Sequence, residues 1–254
     1  MSIKKYLVFI ALFSLSVLSA QNSALFKQAT EFYNNGEFSK AIENYEQILE
    51  SGNHSSALYF NMGNCYYKQN AIGPSIYYYE KALLLSPNDT EIKNNLQFAQ
   101  NMRLDAIEEM PQTEMAQIYN KVINWFSCNG WAYLTVAFAI LFVLAYLAYY
   151  FIRMANRKRI AFITSFFSLG LAVFCVLMGY LQHDQQKKNN PAIVFNKEIS
   201  VSAEPNSNSE VIFTLHEGTK VNILDELDGY KKIRIADGQT GWLLEGSIKA
   251  LKDF

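Results

Sequence analysis

The sequence predicts a multi-domain membrane protein: an all-α repeat domain, two transmembrane α-helices and a C-terminal all-β barrel. Three observations carry that expectation. The segment 22–89 matches itself at an offset of 34 residues. Two later runs, 131–152 and 160–181, contain no charged residue. Beyond residue 190 the apolar spacing changes from helical to strand-like. Composition narrows the class further. A net charge of −1 over 254 residues argues against nucleic-acid binding, which needs a basic surface. With half the residues apolar and 15% aromatic, the chain has ample material for packed cores. Cys65, Cys128 and Cys175 are too few for a disulfide framework and fit no zinc spacing.

The N-terminus reads as an export signal. Lys4 and Lys5 precede an apolar run over 7–18, and the small residues Ser19 and Ala20 follow. This is the tripartite signal-peptide pattern, with cleavage expected between Ala20 and Gln21. Leu18 at the −3 position keeps an uncleaved anchor as the alternative. No cysteine follows the apolar run, so a lipoprotein is not expected.

In the repeated region Phe26 matches Phe60, Phe32 matches Tyr66, Tyr33 matches Tyr67 and Phe38 matches Ile72. Ile42, Tyr45 and Leu49 match Ile76, Tyr79 and Leu83 in the same register. A period of 34 in helix-forming sequence is the tetratricopeptide (TPR) signature. The second block carries it best, through Tyr59, Met62, Gly63, Tyr66, Tyr79, Ala82 and Pro87. Gly63 allows two helices to approach, and Tyr66 and Tyr79 fill the seam. Pro74 is expected at the first position of the second helix, where no N–H is needed. The first block has Ala29 and Asn53 where Gly and Pro are usual, but its Asn34-Asn35-Gly36 turn is well placed. After Asp89 one more helix is expected, with Ile92, Leu96, Ala99, Ala106 and Ile107 on one side. Two and a half units fall short of the roughly three that such arrays need, so docking against a partner or a second copy is expected.

Such an array binds rather than catalyses. Its first helices would line a concave groove with Phe60, Asn64, Tyr67 and Lys68, and with Phe26, Thr30 and Tyr33 one unit earlier. Two readings are open for these aromatics, partner contact or plain core. Glu91 and Asn95 stand where a carboxylate clamp would need basic residues, which argues against a chaperone-tail ligand.

Each uncharged run is long enough, at about 1.5 Å per residue, to cross a hydrocarbon core of ~30 Å. Trp125, Trp131, Tyr149, Tyr150 and Tyr180 mark the ends as an interfacial belt does. Between the runs lie Arg153, Arg157, Lys158 and Arg159 with no acidic residue. The positive-inside rule puts that loop in the cytoplasm and both flanking domains on the opposite side of the membrane. No charged group sits within either run, so no ion or proton pathway is indicated. Gly170 and Gly179, with Ala172, offer close helix approach. Ahead of the first run, Met115, Ile118, Val122, Trp125 and Phe126 recur at helical spacing. They predict a short amphipathic helix at the membrane surface, with an exposed linker as the alternative.

The tail holds short β-rich runs over 193–195, 199–202, 211–215, 220–224, 231–235 and 240–244. Asp228-Gly229 and Asp237-Gly238 are hairpin signals, since type I′ turns need φ > 0. Five or six short strands close naturally as an SH3-like barrel. The stretch LHEGTKVNILDELDGYKKIRIADGQTGWL resembles the core of the bacterial SH3 (SH3b) family: a Gly before a strand, a DG turn, then Gly241-Trp242. That resemblance implies binding of peptides or cell-wall material, with Tyr230 and Trp242 as the contacts. Trp242 as partly buried core is the other reading.

The expected organisation is a signal peptide over 1–20, a TPR domain over 21–112, an amphipathic juxtamembrane segment over 113–130 and spans over 131–152 and 160–181. A basic cytoplasmic loop over 153–159 joins the spans; a linker over 182–190 leads to an SH3b domain over 191–254. In this order the parts resemble the BatE-type family of the Bat (aerotolerance) operons. The most specific stretches are NMGNCYYKQNAIGPSIYYYEKALLLSPND, IKNNLQFAQNMRLDAIEE and the GTKV…DGQTGWL tail. The resemblance implies a non-enzymatic component of a bacterial inner membrane, with the TPR and SH3b domains in the periplasm, beside von Willebrand A-type membrane proteins and a MoxR-type ATPase.

No catalytic motif emerges. His54, His183 and His216 are far apart, and there is no HExxH, no GxSxG, no phosphate-binding glycine loop and no Cys with a supporting His. Glu108-Glu109 reads as a solvated helix end. No cofactor, metal or nucleic acid is expected. The sequence therefore predicts a membrane-anchored scaffold for protein partners, with a peptidoglycan-binding anchor or sensor as the alternative and self-association as a further option.

Overall fold

The computed structural model describes residues 21–108, 110–111 and 113–252, so the expected signal peptide lies outside the described residues. Contacts divide the chain into two units. One joins Met1–Glu109 to Asn190–Phe254; the other is Met110–Asn189.

The first unit opens with helical hairpins. Helix α1 covers residues 21–34 of the described chain, α2 Phe38–Glu50, α3 Ser56–Lys68, α4 Ile72–Leu85 and α5 Thr90–Gln100. Side-chain caps start two of them. Ser55 Oγ accepts from the Leu58 N–H, and the Asp89 carboxylate accepts from Glu91 and Ile92. Asn70 closes α3 in the left-handed region at φ 59°, a conformation its short polar side chain tolerates. Helix α4 begins earlier than expected. Pro74 is its third residue rather than its first, still within the turn that has no N–H acceptor of its own. A Cβ on Gly63 would fall 2.6 Å from the Tyr79 ring, so only glycine permits α3 and α4 to pack at this distance. Ala29, Ala41, Ile42, Tyr45, Ile48, Leu58, Met62 and Cys65 form the core of the first helices.

Helix α5 stops at Gln100, so the expected helix through Ala106 and Ile107 does not form. The chain instead runs out irregularly to the β-domain. There Asp105 bonds to the β-domain backbone and Ile107 packs on its core. Those contacts replace the helical hydrogen bonds that a continued α5 would have made. Glu108 is likewise outside any helix.

The β-domain is one antiparallel sheet of β1 Pro191–Val194, β2 Glu198–Ser202, β3 Val211–His216, β4 Lys220–Leu227, β5 Tyr230–Arg234, β6 Thr240–Leu244 and β7 Ile248–Ala250. Their order is β3-β2-β6-β5-β4-β1-β7. Register shifts at Val201/Ser202 and Ile223/Asp225 bend it, as bulges do in SH3-like folds. Asp228 and Gly229 both have positive φ, as a two-residue type I′ turn requires. At Asp237-Gly238 only the glycine does, so the β5–β6 connection is a longer loop than that dipeptide predicted. Strand β7 adds to the expected strands and, at three residues, is too short to show a strand period in sequence.

Helices and sheet share a core. Ile193 of β1 and Leu251 after β7 are fully buried in the cluster built from Ile76, Tyr77, Tyr79, Ile92 and Leu96. Each such burial contributes about 1.5–3 kcal/mol relative to exposure. The short repeat array therefore docks on the chain's own β-domain rather than needing a second molecule to cover α4.

The second unit comprises α6 Glu114–Ile123, α7 Cys128–Phe151 and α8 Ala155–Lys188. The last two are long and apolar enough to cross a membrane, which fits a membrane protein. The face that α8 buries is Ala161, Ser165, Ser168, Ala172 and Cys175, spaced three and four apart. Small side chains there bring the helices close, while Phe162, Phe166, Phe167 and Val173 point outward. Gly179 belongs to that approach, since a Cβ on it would lie 3.4 Å from Trp131 Cβ, whereas Gly170 has open space before it. The loop between the helices is short, because α8 starts at Ala155. The segment expected as a linker continues α8 to Lys188. Its glutamines hold it in place: Gln182 Nε2 donates to the Phe126 carbonyl (2.9 Å) and Gln185 Nε2 to Asn120 Oδ1 (3.1 Å). Helix α6 forms where the amphipathic segment was expected. Its Met115 and Ile118 are exposed, and only Ile123 is buried.

Candidate partner-binding grooves

The helical region holds a groove of about 290 Å³. Helix α3 presents Asn64, Tyr67 and Lys68 to it, spaced three and four residues apart and therefore on one face. Tyr33 comes from α1, Tyr79 from α4, and Glu91, Asn95 and Phe98 from α5. The polar centre is ordered. Asn64 Oδ1 accepts from the Tyr79 hydroxyl (2.6 Å) and from Asn95 Nδ2 (3.1 Å). Burial pushes the Tyr79 hydroxyl far above its ordinary pKa, so it remains a neutral donor.

Of the residues expected here, Tyr33, Asn64, Tyr67 and Lys68 line the groove. Phe60 does not. It is half-buried against Tyr79, ring centroids 5.9 Å apart, as part of the seam. Phe26 stacks edge-on against Tyr45 at 5.5 Å, and the Thr30 hydroxyl donates to the Phe26 carbonyl, so both serve the first hairpin. Phe98, which also lines the groove, stands 34 residues after Asn64, so the repeat offset points to it. Glu91 and Asn95, at the clamp positions of the third unit, do line the groove, while Tyr79 carries no sequence mark that separates a groove residue from a core one.

A second groove, of about 550 Å³, lies on the β-domain. Strands β2 and β6 pair only at Ser202 and Trp242 and part from there. The gap is lined by Tyr230 and Trp242, with Glu198, Ser200, Ser202, Asn206, Ser209 and Leu244 among its walls. Trp242 is half-buried, and Lys232 Nζ stands 5.8 Å from its ring centroid. Trp242 lines the gap, whereas the core cluster of the sheet is built from residues such as Val201, Leu215, Ile233 and Leu243.

The seam between helices and sheet has chemistry that no sequence motif announced. Asp105 Oδ2 accepts from the His216 backbone N–H (2.7 Å) and the Thr219 hydroxyl (2.6 Å), while His216 Nδ1 is 2.7 Å from Oδ1. Burial alone would raise the Asp105 pKa, but the Thr219 and His216 bonds outweigh it and hold the carboxyl below its usual value. Lys220 pairs with the largely buried Glu80 at 2.7 Å. Tyr77 meets Phe195 edge-on at 5.3 Å. Gly218, at φ +83°, lies where a Cβ would come 2.8 Å from Ile76 Cδ1.

Among the described residues no group of three His, Cys, Asp or Glu side chains is placed to hold a metal ion. Cys65 is buried, and burial pushes its thiol up to about 12, which makes it a packing residue rather than a nucleophile. His54 Nδ1 lies 2.6 Å from the Tyr59 hydroxyl, within the helical region, and His216 serves the seam.

Comparison with known families agrees with this geometry. The tetratricopeptide repeat model matches residues 56–89, which span α3 and α4. The bacterial SH3 domain model matches residues 200–249, which span most of the sheet. No curated protein matches the chain. The chain thus carries a tetratricopeptide repeat, two apolar helices and a bacterial SH3 domain, a combination of binding modules typical of adaptors and scaffolds.

Proposed function

We propose that the protein is a membrane-anchored, non-enzymatic scaffold of the cell envelope whose helical groove takes a protein partner. The observation that carries this is the groove itself: two polar amides, one cation and one anion among aromatic walls. Such a surface suits an extended peptide, whose backbone amides meet Asn64 and Asn95 and whose side chains meet Tyr33, Tyr67 and Phe98. The resemblance to BatE-type proteins supports a place in a Bat aerotolerance-type complex, beside von Willebrand A-type membrane proteins and a MoxR-type ATPase. The basic loop supports an orientation with both binding modules in the periplasm. The shared core of 21–108 and 190–252 supports the weaker statement that both lie on one side, since two crossings return the chain to it.

The test is crosslinking in intact cells, followed by purification in mild detergent and mass spectrometry. Tyr67→Ala and Asn64→Ala are expected to cut partner recovery at least tenfold while the protein stays membrane-bound. Unchanged recovery with both variants rejects the groove.

The β-domain groove favours a second reading, in which Tyr230 and Trp242 hold cell-wall material. It predicts that Trp242→Ala in the full chain releases the protein from purified wall while partner recovery survives. Retention of that variant on the wall rejects it.

A further inference from the structure

The loop end of the α7–α8 hairpin carries a built groove of about 470 Å³, lined by Tyr149, Ala155, Lys158, Arg159, Phe162 and Ile163. All but Tyr149 lie on one face of α8, at spacings of three and four. Lys158 Nζ sits 4.9 Å from the Tyr149 ring centroid, and the Tyr149 and Phe162 rings are 5.5 Å apart. The two cations therefore head a wall that is otherwise apolar. We propose that this groove binds one anionic phospholipid, with its phosphate between Lys158 and Arg159 and an acyl chain along Phe162 and Ile163.

Depth and charge select that occupant. The uncharged run of α8 begins at Ile160 and extends for about 33 Å at 1.5 Å per residue, the thickness of a hydrocarbon core. Lys158 and Arg159 are thus within one turn of the hydrocarbon boundary, at the level of lipid phosphates. Arg153 and Arg157 add to the positive field at this end. The acidic residues of Met110–Asn189 are Glu114 in α6 and Asp184 near the end of α8, both away from the α7–α8 turn. No carboxylate of this unit competes for the cations, whereas a lipid phosphate supplies the charge and its chains cover the exposed Phe162 and Ile163.

The proposal rests on the membrane reading, and the experiment separates the two. Full-length protein in detergent is titrated with phosphatidylglycerol or phosphatidylcholine and adducts are counted by native mass spectrometry. Phosphatidylglycerol is expected to be retained in preference. The double variant K158Q/R159Q is expected to weaken it about 25-fold, at roughly fivefold per cation, while R153Q/R157Q, with the same charge loss away from the groove, changes it less than fivefold. Equal loss in the two variants, or no preference over phosphatidylcholine, overturns the site. Helicity measured for each variant shows that the comparison is between folded proteins. F162A, which keeps both cations, is a second probe: unchanged retention overturns the acyl-chain placement. Alkaline carbonate extraction of wild-type membranes is run alongside. Release into the supernatant would remove the membrane reading and this proposal with it; retention leaves the lipid data to decide the site.

Discussion

Replacing Gly218 by Ala tests whether the helices and the sheet fold as one body. Two costs arise. The backbone at φ +83° is one that a Cβ disfavours by about 1–2 kcal/mol. The new methyl would also stand 2.8 Å from Ile76 Cδ1 and 3.3 Å from Arg103 Cγ. Ile76 Cδ1 ends a side chain that can rotate, but Ile76 is 1% exposed and has little room to do so. Such overpacking costs about 1–3 kcal/mol, and the lower part of that range applies here. The sum is about 2–4 kcal/mol, or a fall in Tm of roughly 4–16 °C for a body of this size. Gly229→Ala is the matched control, with φ +78° and nothing within 4 Å of the new methyl, so only the backbone cost remains. The assay is hydrogen exchange on the full-length protein in detergent. Gly218→Ala should speed exchange in peptides of α4 as well as in those around β3 and β4. Gly229→Ala, with the backbone cost alone, should speed exchange in the same α4 peptides by a smaller factor. If α4 keeps its wild-type protection in Gly218→Ala, the shared-core argument fails.

Two further predictions concern single groups. Asp105→Asn should destabilise the protein at pH 7 by about 2 kcal/mol, since a charged acceptor of several bonds becomes a neutral one. Because the folded-state pKa of Asp105 is depressed, its contribution is present above the unfolded value near 3.9 and is lost as pH falls through the folded value. The Tm difference between wild type and Asp105→Asn should therefore shrink below about pH 4; a constant difference down to pH 2.5 would falsify the linkage. Cys65, with its thiol pushed up to about 12, should resist alkylation at pH 8 until the helical region unfolds. Mass spectrometry of labelled peptides along a urea series checks this, and prompt modification in buffer would show that α3 opens locally.

What the sequence revealed about these parts follows from the range over which each signal acts. Gly63, the Asn35-Gly36 turn and the Asp228-Gly229 hairpin are local requirements of backbone and packing, so residue type alone located them. The inward faces of the spans were less legible. Gly170 and Gly179 look equivalent in sequence, yet only Gly179 meets the other helix, because the facing stripe is set by the phase of Ala161, Ser165 and Ser168. The seam was not legible at all. Asp105 bonds to residues more than a hundred positions away, and nothing near Asp105 distinguishes it from a surface carboxylate. The same distance explains why α5 was expected to run on through Ile107, whose apolar side chain fits a helix stripe as well as a sheet core. In the groove, Asn64 and Tyr67 follow from the repeat and Asn95 from the clamp position of the third unit, while Phe98 needs the offset carried on from Asn64.

The shared core also bears on how the protein is made. Ile193 and Leu251, which cover Ile76 and Tyr77, are synthesised after both apolar helices. At about 5–20 residues per second the ribosome needs on the order of ten seconds or more to travel from Tyr77 to Leu251. Throughout that interval the apolar side of α4 is on its own while the intervening hairpin is produced. Nascent chains stalled before β1 should therefore recruit holdase chaperones to the helical repeats, and those carrying an added C-terminal linker that lets Leu251 clear the ribosome should release them.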